Sequence, residues 1–174
     1  MRMEIENGLT LLSFLVIATF VSIGIGWSVK TKILPLREMM AFSDRQWQFI
    51  RVWVKVALGI GAIVPLVMLI ALWKELSVRQ FLLGYLAVLV VQLASEVIFS
   101  RWFVKSIVVT IGTLYTSFRI WQLWEGIQIF EYAQPWLGLL WLVLGFWVAN
   151  IIMLIFMAIP SLIPDTESAS GNPS

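Results

Sequence analysis

Apolar residues fall into five long blocks, at 9–29, 56–73, 81–99, 103–124 and 136–159, separated by more polar stretches of which 30–55 is the longest. A helix rising about 1.5 Å per residue needs roughly 20 apolar residues to cross a hydrocarbon layer about 30 Å thick. The blocks meet that length or come close to it. The first carries no charge. A secretory leader is the rival reading of this block. It fails because Arg2 is offset by Glu4 and Glu6 and because the apolar run is too long, so the block is expected to be retained as a span.

The second block has a helix start upstream of it. Ser43-Asp44-Arg45-Gln46 reads as a capping box, with the hydroxyl at the N-cap and Gln at N3. Asp44, Gln48, Arg51 and Lys55 then recur on one helical face. This helix is expected to rise from the water layer with a polar stripe and to enter lipid near Lys55, spanning 51–73. Pro65 has no N–H to donate, which predicts a kink in mid-span.

The third block holds Gln92, Ser95 and Glu96; the fifth holds Asn150 and is bounded by Pro135, Pro160 and Pro164. The fourth is ambiguous. Lys105 stands near one end and Arg119 near the other, with Ser106, Thr110, Thr113, Thr116 and Ser117 between them. Hydroxyls can bond back to the i−4 carbonyl, so this segment could span with a hydroxyl stripe. It could also lie in the interface plane as an amphipathic helix. The short connection 100–102 favours an antiparallel hairpin with the third helix. The expected fold is therefore an all-α integral membrane protein, a bundle of four or five transmembrane helices over 1–163. The stretch 164–174 is too polar to bury anything and is expected to be disordered.

Composition strengthens this picture. Of the 174 residues, 60% are hydrophobic and 13% charged, against about 45–50% and about 25% in soluble domains. Mean hydropathy is +0.93. The net charge of +2 matters less than where the cations lie. With five spans, Lys30, Lys32, Arg37, Arg45, Arg51, Lys55, Arg101 and Lys105 share one side, against Arg2, Lys74, Arg79 and Arg119 on the other. That bias places the 30–55 loop in the cytoplasm, with the cell (inner) membrane as the expected location. With four spans Arg119 joins the cytoplasmic group, so the charge rule does not choose between the two counts. Eight of the ten Trp lie near span ends, as an interfacial belt requires; Trp141 and Trp147 lie deeper and are expected to pack against neighbours.

The chain has no Cys and no His. That removes thiolate chemistry, the usual general base and the commonest metal ligand. Phosphate-binding glycine loops, zinc-protease and nucleophile-elbow motifs are also missing, and no span holds two acids. No catalytic residue, metal ligand or cofactor is assigned, and nothing suggests a nucleic-acid partner.

Glu96 is the most informative residue, since an ionisable group within a span costs roughly 2.5–3.5 kcal/mol at the helix centre. Gln92, Ser95, Glu96 and Ser100 share one face of the third helix; Ser106, Thr110, Thr113 and Ser117 share one face of the fourth. A hairpin would bring these faces together, either to line a hydrated path or to seat a polar ligand. The plainer reading pairs Glu96 with Lys55, Lys105 or Arg101 at the cytoplasmic boundary. Asn150 reads as helix–helix glue. Small residues mark close helix approach at Ala18, Ser22 and Gly26, at Ala57 and Gly61, and at Gly138 and Gly145. The loop after the first span mixes Lys30, Lys32, Arg37 and Arg45 with Leu34, Leu36, Met39, Met40 and Phe42, which suits anionic headgroups or a partner protein. The leading functional expectation is a non-enzymatic accessory, assembly or structural subunit acting through helix contacts with other membrane proteins or with itself. The alternative is a small oligomeric transporter or channel using Glu96 and the Ser/Thr-lined hairpin. A lipid-modifying enzyme comes third.

Overall fold

The computed structural model describes residues 2–129 and 132–164, so the polar stretch expected to be disordered lies almost wholly outside the described residues. The described chain is helical, with no strand: α1 (Arg2–Lys30), α2 (Asp44–Leu58), α3 (Val64–Ala71), α4 (Leu76–Trp102), α5 (Ile107–Ile129) and α6 (Trp136–Met153). A π-helical turn, Gly59–Ile63, joins α2 and α3 into one rod, and a second, Leu154–Ala158, prolongs α6 towards Leu162. Five rods result. Four of them, Gly8–Lys30, Asp44–Ala71, Leu76–Trp102 and Trp136–Leu162, are long and apolar enough to cross a membrane.

The helix start at Ser43 follows the sequence. Its hydroxyl accepts from the Gln46 N–H at 3.4 Å, and the Gln46 side chain accepts from the Ser43 N–H at 2.8 Å. Asp44, Gln48, Arg51 and Lys55 are all exposed, and α2 buries nothing. Pro65 produces a π turn just ahead of it rather than a simple break. The rod begins at Asp44, earlier than the span of 51–73 expected from hydropathy.

The fourth segment differs most from expectation. α4 runs on to Trp102, the turn is 103–106, and α5 starts at Ile107 and ends at Ile129, later than the 103–124 read from hydropathy. Arg119 thereby moves from a helix end to near the middle of α5. The helix runs antiparallel to α4 along its length: Gln122 lies beside Gly84 and Gly126 against Phe81. It is likewise antiparallel to α6, with Gly112 beside Leu154, Thr116 opposite Asn150 and Trp124 against Trp141. Its 23 residues make a rod about 34 Å long. It therefore stands upright among its neighbours and does not lie across one end of the bundle.

α1 covers α4 and α5 on one side. Its buried positions include Ala18 and Ser22, and Gly26 sits against Phe103, so the four-residue small stripe turns inward. Of the other small-residue pairs, Gly61 is buried, whereas Gly138 and Gly145 on α6 are exposed. The loop after α1 is irregular and folds back on the bundle. Arg37 N–H donates to Leu162 O at 2.8 Å, and Ser106 N–H donates to Glu38 O at 3.1 Å. Leu36, Met40 and Phe42 pack on Val109, Leu154, Ala158 and Leu162. Leu36, Met40 and Phe42 are thus used inside the protein, while Leu34 and Met39 stay exposed.

Candidate functional site: a polar centre around Arg119

The interior of the bundle is mostly apolar but also holds a small set of polar side chains. Large apolar side chains such as Phe20, Ile70, Val90 and Phe156 are exposed, whereas Arg119, Thr116, Gln92 and Asn150 are buried. Exposed apolar side chains together with buried polar ones suit a chain whose outer medium is apolar and whose polar groups must find partners inside.

The centre is built from short-spaced positions on three helices. α5 contributes Thr116 and Arg119, α4 contributes Tyr85, Gln92 and Glu96, and α6 contributes Trp147 and Asn150. Spacings of three, four and seven keep each set on one helical face. Arg119 is fully buried. Its Nη2 donates to Gln92 Oε1, and Gln92 Nε2 donates to Glu96 Oε1 at 2.6 Å. The guanidinium carbon lies 4.4 Å from the centre of the Trp147 ring and 6.0 Å from that of Tyr85. These ring faces favour a cation in a place where water is excluded.

Two further chains of bonds tie the rods together. Trp147 Nε1 donates to the Tyr85 hydroxyl at 2.7 Å, and that hydroxyl donates to Gly61 O at 2.9 Å. Gly61 lies four residues before Pro65, so its carbonyl has lost the helical donor that any other residue at 65 would supply. The Tyr85 hydroxyl meets the group that Pro65 strands. Gly61 is also confined by its neighbour: a Cβ there would overlap the Trp147 ring. In the other chain, Trp53 Nε1 donates to Asn150 Oδ1 at 2.7 Å and Asn150 Nδ2 donates to Thr116 Oγ1 at 3.0 Å. Trp53, read from sequence as an interfacial ring, is stacked on Phe146 with centroids 5.0 Å apart and joins α2 to α6.

Of the residues singled out in the sequence, Gln92, Glu96 and Asn150 belong to this centre. Glu96 does not pair with Lys55 or Lys105. Both lysines are exposed, and the hydrogen bond Glu96 accepts comes from Gln92. The shift of α5 explains the difference, because it brings Arg119 to the depth that the lysines were expected to occupy. Ser95 lies near Tyr115 on α5. The hydroxyl stripe does not line the hairpin. Ser117 is exposed and donates back to Thr113 O at 2.9 Å; Thr113 donates back to Val109 O at 2.8 Å; Thr110 is half-buried. The threonine and the cation that α5 buries are Thr116 and Arg119 instead.

Hydropathy hides Arg119, because an apolar block that starts at Phe103 puts the arginine near a boundary. A cation three residues after Thr116 and four before Leu123, all on one face, was the available signal. Among the described residues no three His, Cys, Asp or Glu side chains stand together as a metal site. The chain matches no known protein family, curated protein or solved structure, so the functional reading rests on this geometry.

Proposed function

We propose that this chain is a small multi-pass membrane protein that works without catalysis, as an accessory, assembly or structural subunit held in a membrane complex by helix contacts. It crosses the membrane five times. α5 is the inner crossing, and its polar residues are tolerated because α1, α4 and α6 enclose it. The end bearing Lys30, Lys32, Arg45, Arg101 and Lys105 faces the cytoplasm, since moving Arg119 into the interior only strengthens the cation bias. The exposed Lys30, Lys32 and Arg45, with Arg37, sit where anionic headgroups would meet them.

The observation that carries this reading is where the polar and small residues go. Arg119, Gln92, Tyr85, Trp147, Thr116 and Asn150 each make a bond to another helix or rod, while α6 presents Gly138 and Gly145 outward. A Cβ at Gly145 would meet nothing within 4 Å. Trp141, Leu142 and Val148 flank these glycines and are exposed. Glycines with apolar neighbours on an outer helix face allow another helix to approach closely.

The test is purification of the tagged chain in mild detergent, with and without Gly138→Leu and Gly145→Leu. Stoichiometric membrane subunits that are lost from the variants, while the variants keep the wild-type unfolding temperature, support the proposal. A chain that purifies alone, or partners indifferent to both substitutions, would refute it.

A further inference from the structure

The guanidinium of Arg119 is fully buried, and its Nε and Nη1 donors have no hydrogen-bond partner. An unpaired buried N–H of a charged group is costly enough to require an explanation, and a bound ion or water is the usual one. Two more buried polar atoms on the same face of α5 share this condition. The Gln122 carbonyl oxygen has no partner, and the Tyr115 hydroxyl lies near Ser95 without hydrogen-bond geometry to it. Positions 115, 119 and 122 form one stripe turned towards α4.

We propose that Arg119 is the centre of an intramembrane binding site for a small, weakly hydrated monovalent anion, such as nitrate or a halide. The free donors of the guanidinium, with the Tyr115 hydroxyl one turn away, would hold it. The site offers a single cation. The Trp147 and Tyr85 rings flank the guanidinium. Dehydrating a divalent oxyanion in such a place costs far more than one guanidinium returns, which excludes sulfate and phosphate. Arginine is also the more weakly hydrated of the two basic side chains and suits a poorly hydrated partner.

Glu96 couples the site to protons. In the empty site its carboxylate, relayed through Gln92, is the counter-charge to Arg119. An anion at Arg119 takes that role and leaves the carboxylate uncompensated, so binding is favoured when Glu96 is protonated. The titratable groups facing the guanidinium are Tyr85 and Glu96 on α4 and Tyr115 on α5. Among the described residues the buried faces of α1, α3 and α6 add none. Glu96 is only partly buried, one turn from Gln92 towards the end of α4.

The test measures thermal unfolding of the full chain in detergent, in sodium chloride, bromide, nitrate, sulfate and gluconate at equal ionic strength. The expected result is a rise of about 3–5 °C at tenfold excess over Kd for the three monovalent inorganic anions, growing with the logarithm of concentration. Sulfate should give no rise, and the effect should grow as pH falls. Glu96→Gln should retain the rise and lose its pH dependence; Arg119→Gln, where it folds, should abolish it. Equal unfolding temperatures of the wild type in all five salts would overturn the proposal without recourse to any variant. So would a folded Arg119→Gln protein that keeps the anion effect.

Discussion

Tyr85→Phe isolates the contribution of one hydroxyl at the junction of three helices. The substitution keeps the ring beside Arg119 and removes two hydrogen bonds, the one accepted from Trp147 Nε1 and the one given to Gly61 O. Side-chain bonds inside membrane bundles average about 0.6 kcal/mol and reach about 1.7 kcal/mol. A buried group left unpaired costs about 1–3 kcal/mol, and this change strands two, an indole N–H and a backbone carbonyl. The expected loss is therefore about 2–3 kcal/mol. The second background is Pro65→Ala. It returns an N–H in register with Gly61 O, so the carbonyl no longer depends on Tyr85. In that background Tyr85→Phe should cost only the share of the Trp147 N–H, about 1–1.5 kcal/mol. Reversible unfolding in mixed micelles, titrated with SDS, measures all four proteins of the cycle. Equal costs in the two backgrounds would show that Tyr85 does not serve the carbonyl that Pro65 strands. A loss below about 0.5 kcal/mol in the wild-type background would show that the hydroxyl carries no weight.

Gly126→Ala should destabilise the chain, because its Cβ would overlap the Phe81 ring, whereas Gly24→Ala on α1, with open space around it, should be near neutral; the same micelle titration separates them. Glu96→Gln and Arg119→Gln should each destabilise the bundle, and together should cost less than the sum, since each alone leaves the other charge uncompensated; strict additivity would break the link through Gln92. A Cys placed at Ser43 should be closed to an impermeant thiol reagent added outside intact cells, and the chain's lack of native Cys makes that labelling clean. A reporter joined after Pro164 should report the same side as Ser43, because five rods put the described C-terminal end beside the α1–α2 loop; the opposite side would remove α5 from the crossings.

Local rules made much of this chain legible from its sequence. The capping box at Ser43 needs only three neighbouring residues, and it formed as written. The outward polar stripe of α2, the irregularity before Pro65 and the inward small residues Ala18, Ser22 and Gly26 follow from helical periodicity and missing atoms. The hydropathy blocks located four apolar rods for the same reason: burial in an apolar medium acts on each helix separately. What failed was anything that depended on register between helices. Periodicity says that Gln92 and Glu96 share a face, but not which helix lies opposite or at what depth. The four-residue shift of α5 exchanged Lys105 for Arg119 as the cation of the interior and turned Ser117 outward. α5 was ambiguous by hydropathy because it is enclosed on several sides, so its faces need not be apolar. Enclosure is a property of the whole bundle, and no window along the chain contains it. The Trp53–Asn150–Thr116 and Trp147–Tyr85–Gly61 ties join residues far apart in sequence, and only the packed tertiary structure decides which stranded donor meets which stranded acceptor.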